Sequence, residues 1–210
     1  MAGDCVWATD WLPQTAKYIQ SIRYDHPDPF KPLRDGIKFG KPIHPSPPPL
    51  FAYLDDKERQ RKRGDFVMIS GGLTLVTPRF ADLLRQFDLG SSLDLGPGIR
   101  RVDLFPMPLF AGDQRSHIAD YFLMHVSVQK DTLVPEQSPG ARKLMPDSLF
   151  FSLGHLIKDD DLTMTAAALE GPDMWREETI MNGIFVSDRL KRAMEAAKIK
   201  PVKFLRCPVV

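Results

Sequence analysis

The apolar positions of the chain recur at helical spacing in two places. The first segment begins at Thr77–Pro78 and continues with apolar residues three or four positions apart: Phe80, Leu83, Leu84 and Phe87. The Thr77 hydroxyl can accept a hydrogen bond from the first helical turn, and Pro78 stands where a missing N–H costs nothing. The pattern predicts a helix after Thr77, with Gly90 as its C-terminal cap.

A second helix is predicted after Ser187, which can cap it in the same way. Pro201 would end this helix. Asn182–Gly183 is a turn signal, and it leads into a predicted strand at Ile184–Val186. The inner face of the helix carries four apolar residues: Leu190, Ala193, Met194 and Ala197.

Short runs rich in β-branched and aromatic residues predict further strands. Gly71–Gly72 fits a turn between the first two, and the Tyr121 run alternates two sets of side chains, as a strand with two different faces requires. The chain is therefore predicted to be α+β, with short mixed or antiparallel strands and capped amphipathic helices. The runs are Phe66–Ile69, Leu73–Val76, Arg101–Phe105, Tyr121–Val128 and Val202–Leu205.

The first part of the chain has a different composition. Eight of the 19 prolines fall between Pro27 and Pro49 and predict an extended arm packed on the domain, or else a ligand for a proline-recognition module through Pro42–Pro49. A short helix is predicted over Asp10–Tyr24, presenting Trp11, Tyr18, Ile19 and Ile22, and the charged residues 55–63 are predicted as a solvated loop or exposed helix face. We therefore divide the chain into an N-terminal segment, 1–65, with its arm at 27–49, and a domain at 66–210.

Charge and cysteine content exclude several classes of protein. The 28 Lys and Arg residues against 27 Asp and Glu leave a net charge of +1, which gives no field to attract nucleic acid or a membrane surface. Cys5 and Cys207 have no Cys/His cluster near them, so neither a zinc site nor a disulfide framework is predicted. The start of the chain lacks a secretion signal, and the apolar run Leu104–Ala111 is interrupted by prolines. A cytoplasmic protein without cofactors is expected.

The two helix starts share more than a cap. Val76-Thr77-Pro78-Arg79-Phe80 and Val186-Ser187-Asp188-Arg189-Leu190 each contain a strand end, a hydroxyl residue, an arginine two positions later and an apolar residue. They indicate either two related strand–cap–helix units or simply two well-capped helices.

The last part of the chain carries the motifs Asp173–Arg176, Gly183–Ala193 and Val202–Phe204. With Asp103–Pro106 and Tyr121–Val126 they resemble a bacterial immunity-protein family, formerly known only as a domain of unknown function, over about Phe66 to Phe204. Members are encoded beside polymorphic toxins of the kind delivered by type VI secretion. The resemblance implies a cytosolic, non-enzymatic protein that binds and blocks a cognate toxin. Its signature residues are of structural types, expected largely in the core: Trp175, Arg176, Phe185, Ser187 and Leu190.

One local group could support a rival function. His155 precedes Asp159, Asp160 and Asp161, and an imidazole beside carboxylates could serve a small hydrolase or transferase. A solvated acidic turn explains the same residues. In a toxin-binding protein we predict the three aspartates as partner-binding residues that face a basic cleft. No residue is assigned a catalytic or metal-ligating role. Gly96–Arg101 fits a turn. Cys207 lacks a strong activating group for its thiol.

Overall fold

The computed structural model describes residues 4–9, 22–23, 52–54, 64–69, 73–90, 101–113, 115–153, 157–180, 183–200 and 202–210. In these ranges the protein is α+β, as predicted. The helices are α1 (Pro78–Leu84) and α2 (Asp188–Ala196), and short 3-10 turns span Pro135–Gln137 and Ala166–Leu169. The strands are β1 (Cys5–Thr9), β2 (Ile22–Arg23), β3 (Ala52–Leu54), β4 (Phe66–Ile69), β5 (Leu73–Val76), β6 (Val102–Ala111), β7 (His117–Val126), β8 (Gln129–Lys130), β9 (Ala141–Lys143), β10 (Phe151–Leu153), β11 (Met174–Glu177), β12 (Ile184–Val186) and β13 (Phe204–Pro208).

The strands form two large sheets and a separate hairpin. The six-stranded sheet has the order β2-β3-β6-β7-β5-β4, the five-stranded sheet has the order β13-β1-β12-β11-β8, and β9 pairs with β10. Neighbouring strands are antiparallel except in the pairs β3–β6 and β8–β11. Residues near the start of the chain thus contribute to both large sheets. None of the helices that the structure describes is long and apolar enough to cross a membrane.

The same structural unit occurs in both halves of the protein. It consists of four strands of one large sheet and one helix. In the first half the hairpin β4–β5 leads into α1 and then into β6 and β7. In the second half β11–β12 leads into α2 and β13, and β1 takes the place that β7 has in the first. The registers agree, since Phe66 pairs with Val76 as Met174 pairs with Val186. The similarity between the two helix starts is therefore a structural repeat.

A shared core joins the two halves. Both helices pack with one face of each large sheet in a single apolar cluster, which contains Phe80 and Leu84 from α1 and Leu190 and Met194 from α2. These four side chains are buried, which confirms half of the predicted inner-face residues. The other four are partly buried, and Phe87 follows the end of α1: Leu83, Phe87, Ala193 and Ala197. The opposite faces of the two sheets form separate clusters.

The C-terminal ends of the helices differ from the prediction. Helix α1 ends at Leu84 with Arg85 as its cap, so the assignment of Gly90 as the cap is wrong. Gly90 does have a left-handed φ of 86°, but it belongs to a later turn, where its N–H donates to Asp88. The chain leaves the helix early because Asp88 pairs with Asp173 in the other half. Helix α2 ends at Ala196, before Pro201.

Strands β4, β5 and β12 have the predicted bounds. Strand β6 continues beyond the predicted Phe105 to Ala111 and includes Pro106 and Pro108, because β7 pairs along its whole length. The two prolines lie two residues apart, so their nitrogens, which cannot donate to a ladder, share one edge of the strand.

Two strands are shifted along the chain from their predicted positions. Strand β7 begins at His117 and ends at Val126, whereas Tyr121–Val128 was the predicted span. Strand β13 lies later than the predicted Val202–Leu205, because its register is set by β1, which pairs Cys5 with Pro208.

The helix predicted over Asp10–Tyr24 is wrong at its end, because Ile22 and Arg23 form β2 and pair with β3. Pairing with a neighbouring strand overrides a local helical pattern of this length. The remainder of that segment lies outside the described residues, as do the proline-rich arm at 27–49, the charged residues 55–63 and the turn predicted from Gly96.

Candidate functional site

A buried aspartate stands at the centre of each repeated unit. Asp173, which is 1% exposed, accepts hydrogen bonds from the Ser187 hydroxyl at 2.5 Å and from Arg189 Nη2 at 2.6 Å. It also accepts one from the backbone N–H of Asp88 at 2.9 Å, which belongs to the other half. The signature residue Ser187 therefore caps α2 and fixes this carboxylate in place.

The first half repeats this arrangement at Asp65. Thr77 donates to Asp65 at 3.1 Å and Arg79 Nη2 donates at 2.6 Å. The N–H of Lys200, just after α2, completes the set at 2.9 Å. Sequence analysis included Asp173 only as the start of a motif, assigned it no role, and missed Asp65. The available signal was an aspartate directly before a strand in each unit, but the two hairpins differ in length and hide the correspondence.

The signature aromatic residues lie in the core, as predicted. Trp175 and Phe185 are fully buried and stack with ring centroids 6.0 Å apart. The Lys130 ammonium lies over the Trp175 ring at 3.9 Å and donates to the Ala168 carbonyl. Burial lowers the pKa of Lys130 to about 8.

The residues that follow Trp175 are buried polar groups. Arg176 is 9% exposed, and burial lowers the pKa of its guanidinium. Glu177 accepts from the Thr132 backbone at 2.9 Å and from the Thr132 hydroxyl at 2.8 Å, while burial raises the pKa of its carboxyl. These contacts hold β11 beside β8 and have the character of a structural network.

The predicted acidic cluster forms a turn against the outer edge of β13. The Asp159 carboxylate accepts from the Arg206 backbone N–H at 2.8 Å, and Asp160 pairs with the Arg206 side chain at 2.5 Å. Asp161 accepts from the Lys158 N–H. The aspartates thus stabilise the turn, while Asp159 and Asp160 stay exposed to solvent. Their role as partner-binding residues remains a prediction.

The rival catalytic group lies only partly within the described part of the chain. His155, its proposed base, lies outside the described residues. Within those residues no three His, Cys, Asp or Glu side chains could hold a metal ion. Cys207 is buried, which raises the pKa of its thiol to about 12. Its cross-strand partner is Val6, so Cys5 and Cys207 point to opposite faces of the sheet.

An exposed apolar tip is the clearest surface feature, and sequence reasoning missed it. It forms the loop 144–150 between β9 and β10. Side chains of this size are normally buried, and here they lie together on one short loop. Their exposed fractions run from 43% to 81%: Leu144, Met145, Leu149 and Phe150.

Hydrogen bonds within the loop hold the tip in shape. The N–H of Leu144 donates to the Phe150 carbonyl at 3.1 Å, and the N–H of Ser148 donates to Met145 at 2.9 Å. The Ser148 hydroxyl in turn accepts from the Phe150 N–H. Because the loop is already ordered, less conformational entropy is lost when it binds.

The base of the hairpin is anchored beside the acidic turn. Phe151 is buried and its N–H donates to the Thr179 carbonyl at 2.8 Å. Gly140, just before β9, donates to the Asp161 carbonyl, and a Cβ at Gly140 would lie 2.9 Å from that of Asp161. The acidic turn therefore adjoins the base of the hairpin, and the exposed bases Arg142 and Lys143 lie between that base and the apolar tip.

A scan against protein-family models and a search of curated proteins each find no match to this chain.

Proposed function

We propose that this protein is a cytosolic immunity protein that neutralises a cognate toxin domain by stoichiometric binding. The observation that carries the proposal is the apolar tip at 144–150, where Leu149 is 81% exposed on a loop ordered by its own hydrogen bonds. A preformed apolar anchor surrounded by charged residues is the usual anatomy of a protein-binding surface. The resemblance of the motifs in the second half of the chain to the immunity-protein family supports the same proposal.

The surroundings of the tip indicate the kind of partner surface that would fit it. Arg142 and Lys143 flank the apolar side chains, so the complementary toxin surface has an apolar pocket with an acidic rim beside it. The acidic turn at 159–161 adjoins the other end of the hairpin and would face basic groups of the same toxin. The apolar centre supplies the affinity and the charges set the orientation.

The test is co-expression with the toxin domain encoded beside this gene. The protein should rescue growth through a complex of fixed stoichiometry, visible by native mass spectrometry, with a dissociation constant of about 1 nM or lower. Rescue at far less than one molecule per toxin would indicate enzymatic reversal and contradict the blocking mechanism.

A single substitution tests the tip itself. Leu149→Asp should weaken toxin binding about 100-fold, as loss of a central anchor does, without changing the melting temperature. Val210→Asp is the matched control, since Val210 is also an exposed apolar residue, 62% accessible, but follows β13 and is not part of the hairpin. Unchanged binding by Leu149→Asp would remove the tip from the interface.

A further inference from the structure

A cleft of about 810 Å³ lies between the start of α2, the strand β1 and the turn that precedes β11. Its size is within the range of small-molecule sites. Apolar side chains on its wall include Leu169 and Pro172, and the cationic side chains that line it include Arg189, Arg192 and Arg206. The cleft shares no lining residue with the apolar tip at 144–150.

The carboxylates of the cleft that belong to the second half already have hydrogen-bond or ion-pair partners. Asp173 is held by Ser187 and Arg189. Asp188 accepts from Trp7 Nε1 at 3.0 Å with one oxygen and pairs with Arg192 Nη2 at 2.7 Å with the other. Asp4, at the edge of the cleft, is the further carboxylate of the lining.

The repeat provides an internal comparison for Arg189. Arg79, its counterpart, donates to Asp65 through Nε and Nη2 and uses Nη1 for the Ala197 carbonyl at 2.9 Å. Arg189 makes the same two bonds to Asp173. Among the described residues, however, its Nη1 has no hydrogen-bond partner, and the side chain lines the cleft. The bonds to Asp173 thus leave one donor atom of Arg189, Nη1, without a partner in the described part of the chain.

Arg192 and Arg206 also have donors to spare. In the described part of the chain each guanidinium is engaged through Nη2, with Asp188 and Asp160 respectively. Their side chains are 76% and 48% exposed. Guanidinium groups bind the oxygens of phosphate and carboxylate groups in a fixed planar geometry, so the unused N–H groups favour an oxyanion.

We propose that this cleft binds an oxyanion, a phosphoryl or carboxylate group, through the free donors of Arg189, Arg192 and Arg206. The remainder of the ligand lies against Leu169 and Pro172. This inference does not depend on the toxin-binding function, because it concerns the isolated protein and residues outside the apolar tip.

The experiment titrates the isolated full-length protein with inorganic phosphate and, separately, with succinate, followed by NMR of the arginine side chains. Sodium chloride at matched ionic strength is the control. Saturable shifts of Arg189, Arg192 and Arg206 with phosphate alone identify a phosphoryl site, and shifts with succinate alone identify a carboxylate site. Failure of both anions to produce saturable shifts would overturn the proposal.

The matched variants are Arg189→Gln and Arg79→Gln, which lose the same two bonds to a buried aspartate. Binding should fall about tenfold in Arg189→Gln, the effect of one charge-assisted hydrogen bond, and stay within about twofold of the original in Arg79→Gln. Equal weakening by both would overturn the site. Arg192→Gln has no contact with Asp173 and provides the same test if Arg189→Gln fails to fold, with a loss of binding expected and an unchanged affinity contradicting the proposal.

Discussion

At the scale of single residues, Asp173 shows how this fold accommodates a buried charge. A carboxylate removed from water is costly unless it is paired and hydrogen-bonded, and in this protein Ser187, Arg189 and the Asp88 backbone satisfy it. Asp65 has the same set of donors in the first half, but its side chain is 11% exposed against 1% for Asp173. The two sites therefore form a natural pair for measurement.

We expect Asp173→Asn to lower the free energy of unfolding by about 1.5–3 kcal/mol, the range for hydrogen bonds to a charged group. Asp65→Asn should cost less, because its site is closer to solvent. Urea denaturation of the two variants provides the comparison. A larger loss in Asp65→Asn would mean that burial does not determine the cost of losing these carboxylates.

Trp175→Ala should lower the free energy of unfolding by about 3–5 kcal/mol, because the indole is fully buried against Phe185 and its loss leaves a cavity. Toxin protection should be lost through unfolding, and Leu190→Ala should behave similarly. The check is thermal unfolding beside a binding assay. A variant that keeps its melting temperature and loses binding would instead make Trp175 an interface residue.

The lowered pKa of Lys130 predicts that the free energy of unfolding rises with pH. The pKa of its ammonium is about 8 in the folded protein, because burial disfavours the charged form, against an ordinary value of 10.5. Between these two values the unfolded chain binds more protons, so raising the pH favours the folded state. Urea midpoints measured across this window should show the rise, and Lys130→Met should lack it. Parallel pH curves for the two proteins would contradict the assignment.

At the scale of elements, the sequence predicts best what is determined locally. The caps at Thr77 and Ser187 and the apolar faces of both helices are encoded within a few residues, and both were found. The end of α1 and the position of β13 depend on partners in another part of the chain, Asp173 and β1, so local patterns misplaced them. The acidic turn was identified but not its contacts with Arg206.

The exposed tip was missed for a related reason. Leu149–Phe150 and Phe151 form one apolar run, which by its pattern belongs in a core. Only the pairing of β9 with β10 buries Phe151 and leaves the preceding residues in the loop.

The cap of α2 also gives a measurable prediction. Ser187→Ala should lower the free energy of unfolding by about 1–2 kcal/mol, since it removes the bond to the Leu190 N–H and the donor to Asp173. Ser187→Thr should restore most of the loss, because Thr77 fills the same role in the first half. Denaturant unfolding of both variants checks this, and a Thr variant as unstable as the Ala variant would contradict it.

At the scale of the whole molecule, the two halves are connected by reciprocal contacts. The turn after α1 bonds to Asp173 in the second half, and Lys200, four residues after α2, bonds to Asp65 in the first. Both helices also share one apolar cluster. Neither half can lose its structure without exposing groups of the other, so unfolding should be a single cooperative transition.

Hydrogen exchange can test this coupling. Asp65→Asn, a change in the first half, should reduce the protection of amides in β11 and β12 as much as in β4 and β5. Mass spectrometry of peptic peptides resolves the two regions. Loss of protection confined to β4 and β5 would mean that the halves unfold separately.

The place of β1 in the second half affects how the protein is made in the cell. During translation β1 leaves the ribosome before its partners β12 and β13, which follow on the order of 10 seconds later at ordinary elongation rates. The β4-to-β7 unit is contiguous and can begin to fold while synthesis continues, whereas β1, an inner strand of the second sheet, has to wait for β12 and β13. The second sheet is therefore completed only after the β4-to-β7 unit has been synthesised, and β1 pairs long after it has emerged.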